Sequence, residues 1–555
     1  MHARLSGTAV VRRPPGWGGT VGAVTFFCLS LTPSLLPRPW WLQAAVAAIT
    51  ATIGYALGAL IGWAVRSLGG RPSRRVALIG WVVMLVLGVA AIVAVTARSV
   101  SWQDGLRRLM EMNPHVSWWQ WTLMPIVAFL LCALFIVIGR SVRLATRSAA
   151  RGLTRFVNPR LAAAATVVLV AVVIVGLVQG FLVRGVLNVA ENGAALTDRG
   201  TSAGIVRPTL PTVSGSAQSL VSWSSLGAKG RDFIGKTPSR VQLSAFAHAP
   251  AMDPIRVYVG LASASTLEER ADLAVAELER TGAFHRKALV VFATTGTGWV
   301  NENLAKPLEY MYDGDSALVA MQYSYLPSWI SFLTEGEAHD AGVALFDAVY
   351  EHWSTLPADA RPKLMVSGES LGSYATEEAF NGQLSEVLAR SDGAVLIGPT
   401  PRNPMWGDIT TQRDTGSPVW RPVYRDGVAV RFAHRVTDLA VPATPWHTPR
   451  VVYLENGSDP VTWWVPDLIW QKPAWLDTPR APDVSGGMNW YPMITFWQVT
   501  CDLAAADSVP AGFGHGFGTL PAAAWAAVAE PEGWTAADTD RLQQLLAEEA
   551  RRNTL

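Results

Sequence analysis

Five stretches in the first 200 residues carry no charged side chain, and each is close to the length of a membrane-spanning helix. A helix rises 1.5 Å per residue, so about 20 apolar residues cross the hydrocarbon core of a bilayer, which is roughly 30 Å thick. The sequence therefore predicts a transmembrane helical domain over residues 1–185. The predicted spans are residues 20–37, 41–65, 76–97, 118–139 and 161–183.

The five spans differ in how clearly the sequence marks them. The second, third and fifth are rich in Ala, Val, Leu and Ile, and a tryptophan collar at residues 118–121 marks the start of the fourth. The first is short and broken by Pro33, and Arg12 and Arg13 before it also suit a secretory signal peptide. Because residues 32–37 lack a small-x-small cleavage site, we favour a retained helix, although four spans remain an alternative to five.

Charge is distributed very unevenly along the chain. Residues 1–200 hold 19 Arg, no Lys and 4 acidic residues, whereas the remaining 355 residues hold 26 basic and 39 acidic residues. The basic half is also the apolar half, which predicts a membrane bilayer, and not nucleic acid, as its partner. No Asp, Glu, Lys or Arg lies within a predicted span, which disfavours a transporter.

The arginines also predict the orientation of the helices. Thirteen lie in the N-terminal tail and the loops after the second and fourth spans, against four in the opposite loops. Since basic loops stay in the cytoplasm, the N-terminus is predicted to be cytoplasmic. With five spans, everything after residue 185 is extracytoplasmic. The excess of Arg over Lys suggests a bacterial gene, so the predicted location is a bacterial cell membrane, with several passes.

The sequence pattern changes twice after the last span. Residues 186–250 are rich in Ser, Thr, Gly and Pro and are predicted to be a linker. Over residues 251–530, short apolar runs alternate with helical patterns, which is typical of a doubly wound, mostly parallel sheet. Residues 531–555 are predicted to form a helical tail. The predicted strands are Ile255–Leu261, Ala288–Ala293, Ala317–Tyr323, Lys363–Ser367, Gly393–Ile397 and Arg450–Leu454.

A G-x-S-x-G motif at residues 368–372 follows one of these strands and precedes a helical pattern at Tyr374–Arg390. In such a motif the serine occupies a strained turn between strand and helix, and the flanking glycines leave room for the backbone. The bare motif is common by chance, but this context predicts that Ser370 is a nucleophile. The alternative is a tight turn with a capping serine.

A serine nucleophile needs a histidine base and a carboxylate that orients it, in the chain order Ser, Asp, His for this kind of motif. We predict Asp459 as the acid because it lies in a turn just past a strand, where such sites assemble. Only His515, in the glycine-rich loop 511–518, then follows it. Asp459 as a simple turn cap is the alternative. The downstream residues that this choice sets aside are Asp392, Asp408, Asp438, His434 and His447.

Backbone N–H groups that bind an oxyanion are expected at two places. One is Leu371, directly after the nucleophile. The other is the loop 293–299 after an early strand, where Thr295 or Gly296 is the predicted donor. This Thr-Gly-Thr-Gly sequence lacks the Lys-Ser/Thr that a phosphate-binding loop requires.

Aromatic residues are candidates for substrate binding. Six tryptophans lie between Asp459 and His515, a segment that could form a lid or acyl pocket or simply pack on the core. The candidate substrate-binding residues are Trp299, Tyr323, Trp463 and Trp464.

Five phrases of the sequence, at residues 31–38, 295–299, 322–328, 368–374 and 456–460, resemble a bacterial family of membrane-anchored α/β-hydrolases with a multi-spanning N-terminal domain. The resemblance implies an α-helical transmembrane bundle followed by an α/β-hydrolase domain with a Ser–His–Asp triad. One departure is that no clear strand lies between Asp459 and His515, where residues 489–506 have a helical pattern.

These observations predict a membrane-anchored serine hydrolase, similar to a carboxylesterase or lipase, that acts on lipid or envelope esters. An acyltransferase that uses the same acyl-enzyme is one alternative, and a non-catalytic membrane protein with a hydrolase-like binding domain is another. The chemistry requires no metal and no organic cofactor. Three cysteines, two of them in apolar runs, provide neither a disulfide framework nor a zinc site.

Overall fold

The computed structural model describes residues 16–68, 74–114, 116–153, 198, 200–326 and 336–554. The predicted fifth span, 161–183, lies outside these residues. The chain packs as two compact units. The helical unit comprises the described part of residues 1–186 with Trp464–Asp477 and Pro482–Pro510. The α/β unit comprises the described part of Leu187–Trp463 with Thr478–Ala481 and Ala511–Leu555.

The elements of the described residues are numbered here in chain order. The α-helices are α1 (Trp17–Ser30), α2 (Trp40–Ser67), α3 (Arg74–Leu109), α4 (Trp118–Leu153), α5 (Gly227–Gly235), α6 (Arg240–Ala247), α7 (Leu267–Thr281), α8 (Glu302–Met311), α9 (Gly336–Thr355), α10 (Leu371–Glu378), α11 (Leu384–Arg390), α12 (Pro404–Thr411), α13 (Pro460–Trp463), α14 (Ile494–Asp502), α15 (Leu520–Ala529) and α16 (Ala536–Thr554). The strands are β1 (Ile255–Val259), β2 (Ala288–Ala293), β3 (Ser316–Met321), β4 (Lys363–Glu369), β5 (Gly393–Ile397), β6 (Val430–Ala433) and β7 (Arg450–Leu454).

Three helices in the described part of the helical unit are long and apolar enough to cross a bilayer, which indicates membrane association. They are Trp40–Ser67, Arg75–Leu109 and Trp118–Thr146. Helix α1 is shorter, with 14 residues, and ends before Pro33. Helices α5 and α6 lie within residues 186–250. The number of spans and the predicted domain boundaries remain predictions.

Small residues allow α1 and α2 to approach each other closely. A Cβ atom added to Gly22 would lie 2.1 Å from the carbonyl oxygen of Gly54, and one added to Gly18 would lie 2.2 Å from that of Gly58. Each helix thus contributes two glycines four residues apart, the spacing that brings helix backbones together in membranes.

A buried ion pair attaches α14 to the segment between α1 and α2. Arg38 Nε lies 2.6 Å from Asp502 Oδ1, and both side chains are fully buried. The hydroxyl of Ser34 and the N–H of Leu35 donate to the second carboxylate oxygen of Asp502. Arg38 also donates to the side-chain oxygen of Gln43, at 2.8 Å. A buried charge needs such partners, because its desolvation is otherwise very costly.

The α/β unit is built on a seven-stranded sheet in the order β1-β3-β2-β4-β5-β7-β6. All of its neighbouring strands are parallel. Its central strands are continuous apolar runs because both faces of a parallel sheet are covered. The predicted fold class is therefore confirmed. Strand β6 is an addition to the predicted strands, and no strand occurs between Asp459 and His515, all of which the structure describes.

The helical pattern over Tyr374–Arg390 is interrupted in the structure. The segment forms two helices, α10 and α11, and the first already starts at Leu371. The break contains Asn381 and Gly382, with φ values of 54° and 65°. Asparagine and glycine adopt this left-handed conformation at low cost, so the pair ends α10 where a helical pattern alone would continue.

Candidate active site

Ser370 occupies the turn between β4 and α10 in a conformation that is rare outside glycine. Its φ and ψ are 56° and −120°, and its side chain is largely buried. Such strain costs about 1–3 kcal/mol and persists only where neighbouring contacts enforce it. Here the Ser370 N–H donates to the carbonyl oxygen of Ile397 at the end of β5, at 2.8 Å. This is the geometry expected of a nucleophile on a strand-to-helix turn.

Close backbone approach explains both glycines of the motif. A Cβ atom added to Gly368 would lie 2.1 Å from the carbonyl oxygen of Gly372. One added to Gly372 would lie 2.3 Å from the carbonyl oxygen of Ala293, at the end of β2. Any side chain at either position would therefore force the turn to open.

Asp459 and His515, which are 56 residues apart, are hydrogen-bonded to each other. Asp459 Oδ2 lies 2.6 Å from His515 Nδ1, and the carboxylate is fully buried. The carboxylate also accepts from the N–H of Val461 at 2.8 Å and from the hydroxyl of Thr462 at 3.3 Å. A carboxylate at Nδ1 favours the tautomer in which Nε2 carries no proton and can act as a base.

The loop that carries His515 is fixed to the turn that carries Asp459. The N–H of Gly514 donates to the hydroxyl of Ser458 at 3.0 Å, and the side-chain amide of Asn456 donates to the carbonyl oxygen of Gly514 at 2.9 Å. These bonds hold the imidazole against the carboxylate in a loop whose glycines would otherwise leave it flexible.

The His515 ring lies beside the end of β5. A Cβ atom added to Gly398 would be 2.5 Å from His515 Cε1. Gly398 directly follows Ile397, the residue whose carbonyl oxygen binds the Ser370 N–H. Residues 397 and 398 at the end of β5 therefore contact Ser370 on one side and the ring of His515 on the other. This places Ser370 and His515 at the carboxyl edge of the sheet, where the ligand sites of α/β folds lie.

Two N–H groups are candidates for binding an oxyanion. Leu371 is the first residue of α10, so its N–H has no acceptor within the helix. In the loop after β2, the N–H of Thr295 donates to the carbonyl oxygen of Trp299 at 3.2 Å. Among the described residues no hydrogen bond engages the N–H of Gly296. The geometry thus favours Gly296 over Thr295 as the second donor.

Two family profiles match the chain. The one described as "Alpha/beta-hydrolase family" covers residues 255–542, and the one described as "Alpha/beta-hydrolase family N-terminus" covers residues 31–238. The chain belongs to the alpha/beta-hydrolase family. This confirms the resemblance to an α/β-hydrolase family that has its own N-terminal domain. No curated protein and no solved structure matches the chain.

In this alpha/beta-hydrolase the candidate aromatic residues have different surroundings. Trp463 is buried in the α/β unit, where its indole N–H donates to the carbonyl oxygen of Asn456 at 3.3 Å. Trp464 belongs to the helical unit, where its indole N–H donates to the Thr500 hydroxyl at 2.8 Å. Tyr323 is buried, and Trp299 is half-buried in the loop after β2. For Trp463, the burial therefore favours the alternative that this side chain packs in the core.

Sequence reasoning missed three polar residues that lie next to the nucleophile turn of this alpha/beta-hydrolase. They are Ser373 and Glu377 on α10 and Asn403 before α12, and all three are buried. A single Glu or Ser in a helical pattern is usually solvent-exposed, so no motif identified them. Within the described residues, no group of three or more His, Cys, Asp or Glu side chains is arranged to hold a metal ion.

Proposed function

We propose that the chain is a membrane-anchored serine hydrolase of carboxylic esters. The hydrogen bond between Asp459 and His515, beside the strained turn of Ser370, is the observation that supports this most strongly. A serine alone is a weak nucleophile at neutral pH, and an oriented imidazole is what activates it.

In the proposed reaction, Ser370 Oγ attacks the ester carbonyl carbon while His515 Nε2 takes the hydroxyl proton. Asp459 holds the imidazole and stabilises the imidazolium. The N–H groups of Leu371 and Gly296 donate to the oxyanion of the tetrahedral intermediate. The C–O bond to the leaving alcohol breaks as His515 returns the proton to it. Water, deprotonated by His515, then attacks the acyl carbonyl carbon. The bond from that carbon to Ser370 Oγ breaks, the acid is released, and His515 returns the proton to Ser370 Oγ.

The proposed substrates are lipid or envelope esters. Three helices are long and apolar enough to span a bilayer. For a chain anchored by them, lipid esters are the esters at the highest local concentration. The arginine distribution supports an extracytoplasmic α/β unit. A periplasmic reporter fused after residue 554 should be active if this orientation is right, and a cytoplasmic reporter at the same position should be inactive.

A fluorophosphonate probe tests the proposed nucleophile directly, because it phosphonylates only an activated serine. The full chain in detergent should be labelled at Ser370, and Ser370→Ala should abolish labelling. Ser354→Ala, which removes an exposed hydroxyl at the end of α9, is the control and should label like the wild type. An unlabelled wild type, or equal labelling of the Ser370 variant, would overturn the proposal.

A further inference from the structure

A buried chain of hydrogen bonds leads from the carboxylate of Glu377 to the backbone of Ser370. Glu377 Oε1 accepts from Asn403 Nδ2 at 2.7 Å, and the second hydrogen of the same amide nitrogen reaches Ser373 Oγ at 3.1 Å. Ser373 Oγ in turn donates to the carbonyl oxygen of Ser370 at 2.8 Å. Every donor and acceptor in this chain has a consistent role, since the amide provides two hydrogens and the hydroxyl provides one.

The carboxylate of Glu377, at one end of these hydrogen bonds, is held in place by several donors. Besides Asn403, Glu377 accepts from the hydroxyl of Tyr453 on β7 at 2.7 Å, and from the N–H groups of Met405 and Trp406 on α12 at 2.7 and 3.3 Å. Glu377 therefore ties α10 to β7 and to α12. Burial raises the pKa of Glu377 to about 7, although these hydrogen bonds lower it.

Asn403 extends the connection to the loop beside His515. Its side-chain oxygen accepts from the N–H and the hydroxyl of Thr400, at 2.8 and 2.9 Å. Thr400 belongs to the loop that begins at Gly398, the residue against which the His515 ring packs. The same amide thus holds both the nucleophile turn and the loop that contacts the base.

We propose that Ser373, Glu377 and Asn403 are positioning residues that hold the backbone of Ser370 in its strained, catalytically competent conformation. This rests on the proposed function of Ser370. The strained φ and ψ of Ser370 require contacts on both sides of the residue. Ile397 provides the contact at the N–H, and the Ser373 hydroxyl strengthens the contact at the carbonyl oxygen. None of the three residues needs to touch the substrate.

Removing the Ser373 hydroxyl gives the sharpest test. A misplacement of about 1 Å in a nucleophile costs roughly 100-fold in rate, so we expect Ser373→Ala to lower kcat about 10- to 100-fold. KM should change less than about threefold, because the substrate contacts remain, and the rate of fluorophosphonate labelling should fall with kcat. Ser373→Thr keeps the hydroxyl and should restore most of both rates.

The matched control is Ser391→Ala. Ser391 is also buried, and its hydroxyl donates to a backbone carbonyl oxygen four residues earlier, that of Val387, at 2.8 Å. It lies after α11, outside the network, so its variant should keep the wild-type kcat. Rates are divided by the concentration of active sites from burst titration, which separates slow turnover from a loss of folded enzyme.

Asn403→Ala should lower kcat as Ser373→Ala does. If Asn403→Ala fails to fold, the comparison of Ser373→Ala with Ser373→Thr still tests the positioning role. Wild-type kcat and labelling rates in Ser373→Ala would overturn the positioning role and leave the proposed hydrolase intact. Equal losses in Ser373→Ala and Ser391→Ala would also overturn it, because they would show a general packing effect. A wild type that neither labels nor hydrolyses esters would overturn the proposed function, and the positioning role with it.

Discussion

The helical unit and the α/β unit use the same apolar residue types in opposite ways. In the α/β unit, Val290 on β2 is fully buried, as are its neighbours in the sheet. In the helical unit, Leu85 and Val86 on α3 are 65% and 61% exposed. Water would make such exposure costly, at roughly 25 cal/mol per Å² of apolar surface. The comparison teaches that the surroundings of the helical unit, and not its own packing, must cover this surface.

In both units, a buried arginine is paired with a buried carboxylate. Arg38 in the helical unit pairs with Asp502, and Arg256 on β1 pairs through two hydrogen bonds with Glu309 on α8. The adjacent carboxylates raise the pKa of Arg256, which outweighs the lowering by burial. Each pair joins segments that are distant in the sequence. Apolar surface distinguishes the units, therefore, whereas paired charge is common to both.

The largest effect should come from a change that affects the chemistry and leaves both units folded. Ser370→Ala should lower ester turnover by up to a factor on the order of 10⁶, the loss seen when a triad nucleophile is removed. Membrane association and the thermal unfolding temperature should change little, because the variant removes only one hydroxyl group, in the α/β unit. Turnover of a short-chain ester and recovery in washed membranes measure both. Activity within about tenfold of the wild type would contradict the assignment.

The buried pairs should give the next largest effect, and in both units. Arg38→Met and Arg256→Met each leave a buried carboxylate without its cation, which costs about 3–5 kcal/mol. We expect a large fall in thermal stability in detergent for each variant. Combining Arg38→Met with Asp502→Leu should recover only part of the loss. The double variant has no unpaired charge, but the buried Ser34 hydroxyl and Leu35 N–H lose their acceptor.

An exposed ion pair is the control for these variants. Lys472 and Asp477 form one in the helical unit, with more than half of each side chain exposed. Asp477→Asn should change stability by at most about 1 kcal/mol. If Asp477→Asn lowered stability as much as Arg38→Met, burial would not explain the contribution of the Arg38–Asp502 pair to stability.

A charge on the outward face of α3 should have a somewhat smaller effect. Val86 lies in the middle of the predicted span 76–97, so Val86→Arg should cost about 2.5–3.5 kcal/mol of insertion free energy. Val76→Arg, near the start of the helix, is the control and should cost little, because a terminal arginine reaches the membrane interface. The fraction of inserted chains, from the accessibility of cysteines placed on each side, measures both. Equal fractions for the two variants would mean that lipid does not cover this face.

Parts of the α/β unit followed closely from the sequence, for a physical reason. Strands β2 and β5 have the predicted bounds, since a strand buried on both faces is a continuous apolar run. The break after α10 was not predicted, because helical periodicity continues through it, and the left-handed backbone at Asn381 and Gly382 decides it. The position of Asp459 in a turn just past a strand selected the acid, and the chain order then left only His515 as the base. The structure places these two residues in contact.

The polar networks did not follow from the sequence in either unit. Arg38 and Asp502 are 464 residues apart, and no local pattern relates them. Glu377 has the spacing of an ordinary helical residue, and its burial depends on Tyr453 and on α12, which come from elsewhere in the chain. Periodicity reports which face of an element is apolar, whereas the partner of a buried polar group is known only after the elements have packed.

The smallest effect concerns substrate length and would sharpen the comparison of the two neighbouring tryptophans. If the substrate is a lipid ester, each methylene of the acyl chain that leaves water can add up to about 0.8 kcal/mol of binding. We therefore expect kcat/KM to rise with chain length over several carbons. The lipid-access hypothesis is that the tryptophan-rich segment between Asp459 and His515 binds the acyl chain. If it is right, Trp464→Ala should flatten this rise and spare the shortest esters. Trp463→Ala removes a buried core side chain and should lower activity equally at all lengths, through stability. An ester series assayed in detergent above its micellar concentration measures both slopes. A wild-type optimum at about two carbons, where almost no apolar chain is available to bury, would reject lipid access and leave the triad assignment standing.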